Sequence, residues 1–132
     1  MKTIFDKYTI TDNKESASAE EVKVLLDGSY WAPDRELSLV QKTIDNSICV
    51  FVLKDSTLVG FARAVTDQAV FAWIADLIVH ENHRGQGLAK TIMSFIQQHP
   101  AVPSKLQLLK TKDAHGLYEQ YGFKRNSEFM CR

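Results

Sequence analysis

The spacing of apolar residues changes several times along the chain, and each change predicts a different element of secondary structure. Residues 8–11 are the first predicted strand. Ser18 and Glu21 then have the spacing of a capping box, which opens a helix that can end at Gly28. A second helix is predicted to start at Pro33, and both helices carry apolar residues three or four positions apart.

Extended segments dominate the middle of the chain. Apolar runs at 48–53, 58–65 and 70–79 are rich in β-branched residues and are separated by short polar turns. Runs of this kind between turn residues are typical of strands. They predict a three-stranded meander.

The last third of the chain returns to mixed structure. A helix with apolar spacing runs from Leu88 to the stop at Pro100. A short strand at 105–109, a short helix at 114–121 and an extended segment at 123–130 complete the chain. The order β, α, α, β, β, β, α, β, α, β predicts an α/β protein with a central mixed sheet and about four flanking helices, not a doubly wound fold.

The composition narrows the class of protein. The length fits one domain over residues 1–132, and the 16 basic residues equal the 16 acidic ones, so we expect no broad nucleic-acid-binding face. No apolar run approaches the roughly 18 residues that span a bilayer, and the N-terminus lacks the apolar core of a signal peptide. We therefore expect a cytoplasmic protein without membrane contact. The two cysteines and four histidines lack ligand spacing, so no metal site is predicted.

The most informative segment is a glycine-rich turn between the strand that ends at Val79 and the helix that follows. Gly85 and Gly87 let the main chain approach a bulky anion, and the unpaired amides of a helix start carry partial positive charge. Arg84 and Lys90 add positive charge. The turn therefore suits a phosphate or pyrophosphate, although the same residues also fit a helix start with flexible glycines and no ligand.

Two common phosphate motifs do not match this turn. A P-loop needs glycine directly before its lysine, and here Ala89 precedes Lys90. A dinucleotide fingerprint needs glycine or alanine at the position of Lys90.

The turn resembles instead the pyrophosphate loop of the GNAT superfamily of N-acetyltransferases, whose pattern is Arg/Gln-x-x-Gly-x-Gly/Ala. Residues 84–89 read Arg-Gly-Gln-Gly-Leu-Ala, and the preceding strand at 74–79 also looks like that family. Residues 113–123 resemble its second signature, a helix that bears tyrosine and ends in Gly-Phe. Residues 29–32 and 59–63 look like one bacterial single-domain subgroup, so the resemblance covers nearly the whole chain.

The resemblance implies an enzyme that moves an acetyl group from acetyl-coenzyme A to a primary amine by direct attack. In the family, main-chain groups of the strand before the turn bind pantetheine and polarise the thioester. Its partners would be acetyl-coenzyme A and an amine acceptor. The sequence does not decide between a monomer and a homodimer. Carried over to this sequence, the cofactor contacts are Leu77, Ile78, Val79, Arg84, Gly85, Gln86, Gly87, Leu88, Ala89, Lys90, Asp113 and Tyr118.

Two residues are candidates for proton transfer. Tyr118 matches the family's general acid by its position in the motif. A phenol with a pKa of about 10 stays protonated at neutral pH and can donate a proton to a thiolate. The alternative for Tyr118 is packing on the sheet through its ring. Asp76 is the carboxylate nearest to the expected chemistry and is a candidate general base, with the equal alternative of a structural hydrogen-bond acceptor that fixes a neighbouring loop.

The acceptor pocket in this family is walled by the first two helices and their link. Tyr30, Trp31 and Arg35 lie there and are candidate substrate-binding residues, with the alternative that the aromatics anchor the helix and Arg35 pairs with an acid. Two other functions remain open. One is a coenzyme A-binding sensor or regulatory module that does not catalyse. The other is a binder of nucleotide phosphates.

Overall fold

A six-stranded sheet in simple chain order is the centre of the structure, a computed structural model that describes all 132 residues. Neighbouring strands are antiparallel, except for the last pair, which is parallel. The strands are β1 (Lys2–Phe5), β2 (Tyr8–Thr11), β3 (Ile48–Lys54), β4 (Thr57–Thr66), β5 (Ala72–Val79) and β6 (Gln107–Leu109).

Four helices cover the two faces of the sheet, which gives the mixed α/β fold that the sequence predicts. They are α1 (Ala19–Asp27), α2 (Leu37–Asp45), α3 (Leu88–Gln98) and α4 (His115–Glu119). The predicted capping box begins α1: the Glu21 amide donates to the Ser18 hydroxyl at 3.2 Å, and the Ser18 amide donates to the Glu21 carboxylate at 3.1 Å.

Each face of the sheet has its own hydrophobic core. On one face, α1 and α2 pack Val22 and Val40 against Phe51 and Phe61 in a cluster of 12 buried residues. On the other face, α3 contributes Ile92 and other residues to a cluster of 16 buried residues. The sheet is thus covered on both sides at β3, β4 and β5.

The predicted order of elements needs correction at three places. The sequence prediction omitted β1, because all four of its residues are exposed and show no buried alternation. Helix α2 begins at Leu37 and not at Pro33, because Asp34 has a φ of 61°, which no helix contains. The extended segment predicted at 123–130 pairs with no strand.

Strand β5 contains a β-bulge at its centre. Arg63 of β4 pairs with Ala75 and Phe61 pairs with Ile78, so Asp76 and Leu77 together oppose a single residue of β4. Asp76 has a φ of 56°, in the left-handed region. The bulge breaks the alternation of side chains, so that Ile78 packs in the α1–α2 core although Ile74, four residues earlier, packs in the α3 core.

The parallel pairing of β5 with β6 is short. It extends only over residues 72–74 of β5, and the last pair is Ile74 with Leu109. The second half of β5 therefore presents an unpaired main-chain edge where the two strands separate.

No helix of the structure is long and apolar enough to cross a bilayer.

Two valines of α1 provide a matched test of the buried face. Val22 is fully buried and Val24 is 74% exposed. Val22→Ala should lower the free energy of unfolding by about 2 kcal/mol, because it removes two buried methyl groups and leaves a cavity. Val24→Ala should stabilise slightly, by up to about 0.5 kcal/mol, because alanine has the higher helix propensity. Urea unfolding measures both, and equal effects at the two positions would contradict this orientation of α1.

Candidate active site

The glycine turn has a backbone geometry that suits an anion. Gly85 and Gly87 have φ values of 76° and 81°, and a Cβ at Gly85 would meet no atom within 4 Å. The amide N–H groups of residues 85–90 donate no hydrogen bond to the protein, and they precede or begin α3. Six unpaired donors at a helix start favour an anion with several oxygens, such as a pyrophosphate.

A buried tyrosine of β2 holds this turn through hydrogen bonds of its hydroxyl group. Tyr8 of β2 is 1% exposed, and its hydroxyl donates to the Gln86 side-chain oxygen at 2.9 Å. The same hydroxyl lies 2.9 Å from Nδ1 of His83. Gln86 is a predicted cofactor contact, and its side chain is thus engaged with β2. Its main-chain N–H is the group left for a ligand.

Two further contacts fix the ends of the turn. Arg84 donates from Nε to the carbonyl oxygen of Val79 at 3.0 Å, which ties the turn to the end of β5. Tyr121, just after α4, donates to the carbonyl oxygen of Lys90 at 2.7 Å. The turn is therefore rigid without using the amides that face outward.

A cleft of about 1370 Å³ lies beside the turn and runs along the unpaired edge of β5. Its walls come from the glycine turn, from β5, from the segment that leads into α4, and from the α1–α2 loop. All but one of the residues predicted from sequence for the cofactor, the acceptor and proton transfer line it; the exception is Gln86. The lining also includes Arg63, Trp73, His83, Lys110, Thr111 and Lys112, which the sequence analysis did not assign.

Tyr118 contributes a phenol to this cleft from α4. Its ring packs on the α3 core and lies edge-on to Phe123, while its hydroxyl makes no hydrogen bond within the protein. Burial raises the pKa of Tyr118, and the charges of Tyr30 and Asp113 add to the shift. The phenol is thus protonated at neutral pH and free to donate, so the packing and acid interpretations of Tyr118 are compatible.

Asp76 lies at the centre of a charged network on the α1–α2 side of the cleft. Its carboxylate accepts from Arg35 at 2.7 and 3.2 Å, from Nε of Arg63 at 2.7 Å, and from the Trp31 indole at 3.1 Å. Burial raises the pKa of Asp76, but the hydrogen bonds from the two arginines lower it by more. The net pKa of Asp76 is therefore below its usual value. This geometry favours the structural alternative for Asp76, an acceptor that fixes the α1–α2 loop.

The α1–α2 loop reaches the cleft through two aromatic rings. Trp31 and Tyr30 are in edge-to-face contact at 5.1 Å, and the Tyr30 hydroxyl accepts from the Lys112 amide at 3.3 Å. Tyr30 thus bridges the cleft from the α1–α2 loop to the segment before α4, while Trp31 and Arg35 are fastened to Asp76. Arg63 pairs with Ala75, and the bulge is what brings Asp76 to the same face as Arg63. Spacing along the sequence does not indicate this contact.

Comparison with known proteins bears on the family of the chain. Residues 45–125 match the family model of the acetyltransferase (GNAT) domain. An uncharacterized N-acetyltransferase, ycf52, of Porphyra purpurea is 30% identical over 129 residues, which cover 90% of this chain and 74% of the relative. The corresponding protein of Pyropia yezoensis is 33% identical, with 92% and 73% covered.

A solved structure is similar over nearly the whole chain. It belongs to a Xanthomonas campestris protein described as an acetyltransferase of the GNAT family. The TM-score is 0.89 at 34% identity, with 95% of this chain and 92% of that chain covered.

The charged network predicts an acid-sensitive contribution to stability. Asp76→Asn should lower the free energy of unfolding by about 3 kcal/mol at neutral pH, because two partly buried guanidinium groups lose their counter-ion. The pKa of Asp76 is depressed in the folded state, so the contribution is complete above the unfolded value of 3.8 and is lost as the pH falls through the lower folded value. The difference between wild type and variant should therefore shrink below about pH 4.

Asp55→Asn is the matched control for this measurement. Asp55 also has a left-handed φ, of 49°, but it is exposed in the β3–β4 turn and makes no side-chain hydrogen bond. Its substitution should change stability little at any pH. An Asp76 effect that persists unchanged at pH 2 to 3 would contradict the ionic origin.

Proposed function

The chain belongs to the GNAT acetyltransferases, and we propose that it transfers an acetyl group from acetyl-coenzyme A to a primary amine by direct attack of the amine. The observation that supports this most is the set of unpaired amides at residues 85–90, placed where β5 separates from β6. An anionic cofactor held at the turn has an open strand edge leading from it into the cleft.

The residues present fit acetyl-coenzyme A. The amides of residues 85–90 would hold the pyrophosphate, and Arg84 and Lys90 line the cleft with the opposite charge. Leu77, Ile78 and Val79 would hold the pantetheine arm through main-chain groups on the unpaired edge, while their side chains pack in or against the two cores. Asp113 lines the cleft near Tyr118, where it can accept a hydrogen bond from the cofactor.

Acetyl-coenzyme A supplies an activated acyl carbonyl, and the chain supplies position and charge. Main-chain N–H groups at the free edge of β5 are fixed by the pairing of that strand with β4, so they need no reorganisation to polarise a carbonyl oxygen. Tyr118, with its unbonded hydroxyl, is the proton donor for the leaving sulfur.

The acceptor must lose a proton, because an alkylammonium has a pKa of about 10.4 and only the neutral amine attacks. Asp76 is a poor base, since both of its oxygens already accept hydrogen bonds from arginine. We assign Asp76 to positioning Trp31 and Arg35 at the acceptor wall. The proton then leaves through water in the open cleft.

A charge placed in the glycine turn tests the cofactor site. Gly87→Asp and Gly87→Asn share one shape and the same left-handed φ, which asparagine and aspartate tolerate better than other residues. The aspartate should weaken acetyl-coenzyme A binding at least about tenfold more than the asparagine, because it places negative charge beside the pyrophosphate. Isothermal calorimetry measures both affinities. Equal affinities, or stabilisation of the wild type by ATP and not by acetyl-coenzyme A, would refute the cofactor assignment.

Loss of the phenol tests the acid. Tyr118→Phe should lower kcat by about 10²-fold while the affinity for acetyl-coenzyme A stays within about twofold, because the ring contacts remain and only the proton donor is removed. Release of free coenzyme A over an amine panel measures kcat. An unchanged kcat would remove Tyr118 from proton transfer, and cofactor binding without turnover on any amine would identify a coenzyme A-binding module.

A further inference from the structure

Two arginines share one carboxylate at the acceptor end of the cleft. Arg35 and Arg63, called here the arginine pair, carry two positive charges, and Asp76 supplies one negative charge between them. The side chain of Asp76 is 3% exposed, whereas those of Arg35 and Arg63 are 23% and 14% exposed. The network therefore keeps a net positive charge, and its exposed part is the arginine pair.

Asp76 has no capacity left for a ligand cation. Its Oδ1 accepts from Trp31 and Arg35, and its Oδ2 accepts from Arg35 and Arg63. An ammonium group that enters this end of the cleft meets two guanidinium groups and a carboxylate that is already fully engaged. This arrangement repels a cation.

The arginine pair keeps hydrogen-bond donors in reserve. Nε of Arg35 and Nη2 of Arg63 donate to no protein atom, while Nη1 of Arg63 donates to the Ser47 hydroxyl at 3.2 Å. Both side chains line the cleft. Planar guanidinium donors of this kind match a carboxylate in geometry and charge.

One arginine would suffice to neutralise Asp76. The second leaves a partly buried positive charge without a partner, which costs free energy in the absence of a ligand. An anionic group on the acceptor removes that cost when it binds. The remainder of the cleft lining has the same bias, because its one acidic side chain, Asp113, faces four lysines and arginines.

We propose that the acceptor is a small amine that carries a carboxylate. The arginine pair binds the carboxylate, and the amine is directed toward the unpaired edge of β5. The proposal rests on the proposed acetyltransferase activity and adds the class of acceptor. It also disfavours polyamines, whose second ammonium would face the arginine pair.

Matched acceptors test the proposal on the wild-type protein. Each of several amino acids is compared with its own carboxamide, which has the same shape without the charge, and with its decarboxylated amine; spermidine is the polycation. Because the carboxamide has the more acidic amine, kcat/KM is expressed per neutral amine. We expect the carboxylate to raise kcat/KM at least about tenfold over both counterparts, and spermidine to be the poorest acceptor.

The outcomes separate this proposal from the activity on which it rests. Turnover of carboxamides or decarboxylated amines as fast as of amino acids would overturn the carboxylate site while leaving acetyl transfer in place. Failure of every amine would remove the acetyltransferase activity itself. Dipeptides in the same panel show whether a peptide carboxylate serves as well as that of a free amino acid, and either preference supports the proposal.

A variant of the arginine pair gives a second readout. Arg63→Gln should reduce the preference for carboxylate over carboxamide at least about fivefold, with the KM for acetyl-coenzyme A unchanged, and Arg63→Lys should restore part of the preference. Arg125→Gln is the matched control, because Arg125 is exposed and lies outside the cleft. Equal loss on charged and uncharged acceptors would show a merely structural role for Arg63 and contradict the proposal.

Discussion

The hydrogen bonds to the Asp76 carboxylate hold the centre of β5 in a conformation that an isolated strand would not adopt. A left-handed residue other than glycine costs about 1–3 kcal/mol and persists only where its surroundings demand it. Four donors from three side chains supply that demand here. Beyond the bulge they maintain, Ile78 packs in the α1–α2 core and Val79 in the α3 core, so the end of the strand is anchored on both sides of the sheet.

The cleft follows from this anchored strand together with the brevity of β6. Because the pairing of β5 with β6 stops at Ile74, the edge of β5 beyond it has no neighbour, and the chain leads directly into the glycine turn. Tyr8 and Arg84 hold that turn through side-chain bonds. Its amides are consequently left for a ligand, and a rigid strand edge and a rigid turn meet at one place.

Local patterns predicted most of the fold and the side of the cleft that the glycine turn forms. The capping box at Ser18, the strand runs and the glycine turn are each encoded within a few neighbouring residues, and the structure has them close to their predicted positions. Strand β1 escaped prediction because it buries nothing. The start of α2 was placed too early because aspartate is compatible both with the start of a helix and with the left-handed φ that Asp34 adopts.

The α1–α2 side of the cleft was less accessible to sequence reasoning, for a physical reason. Asp76, Arg35 and Arg63 are far apart in the chain, and a bulge sets their meeting by shifting the strand register by one residue. Strict alternation would have put Asp76 on the face opposite to Ala75, and therefore away from Arg63, which pairs with Ala75. Tyr8 likewise reaches Gln86 across the sheet, a contact that spacing along the chain does not encode.

The two tryptophans of the chain, Trp31 and Trp73, both line the cleft, and no other residue of this type exists to mask them. Trp31 donates its indole N–H to Asp76, and Trp73 stacks on Phe129 at 5.9 Å. The tryptophan fluorescence of the protein, excited above the absorption of its four tyrosines, therefore originates entirely at the cleft wall. A ligand that changes the polarity there alters the emission of both tryptophans, so the unlabelled protein is its own optical reporter of occupancy.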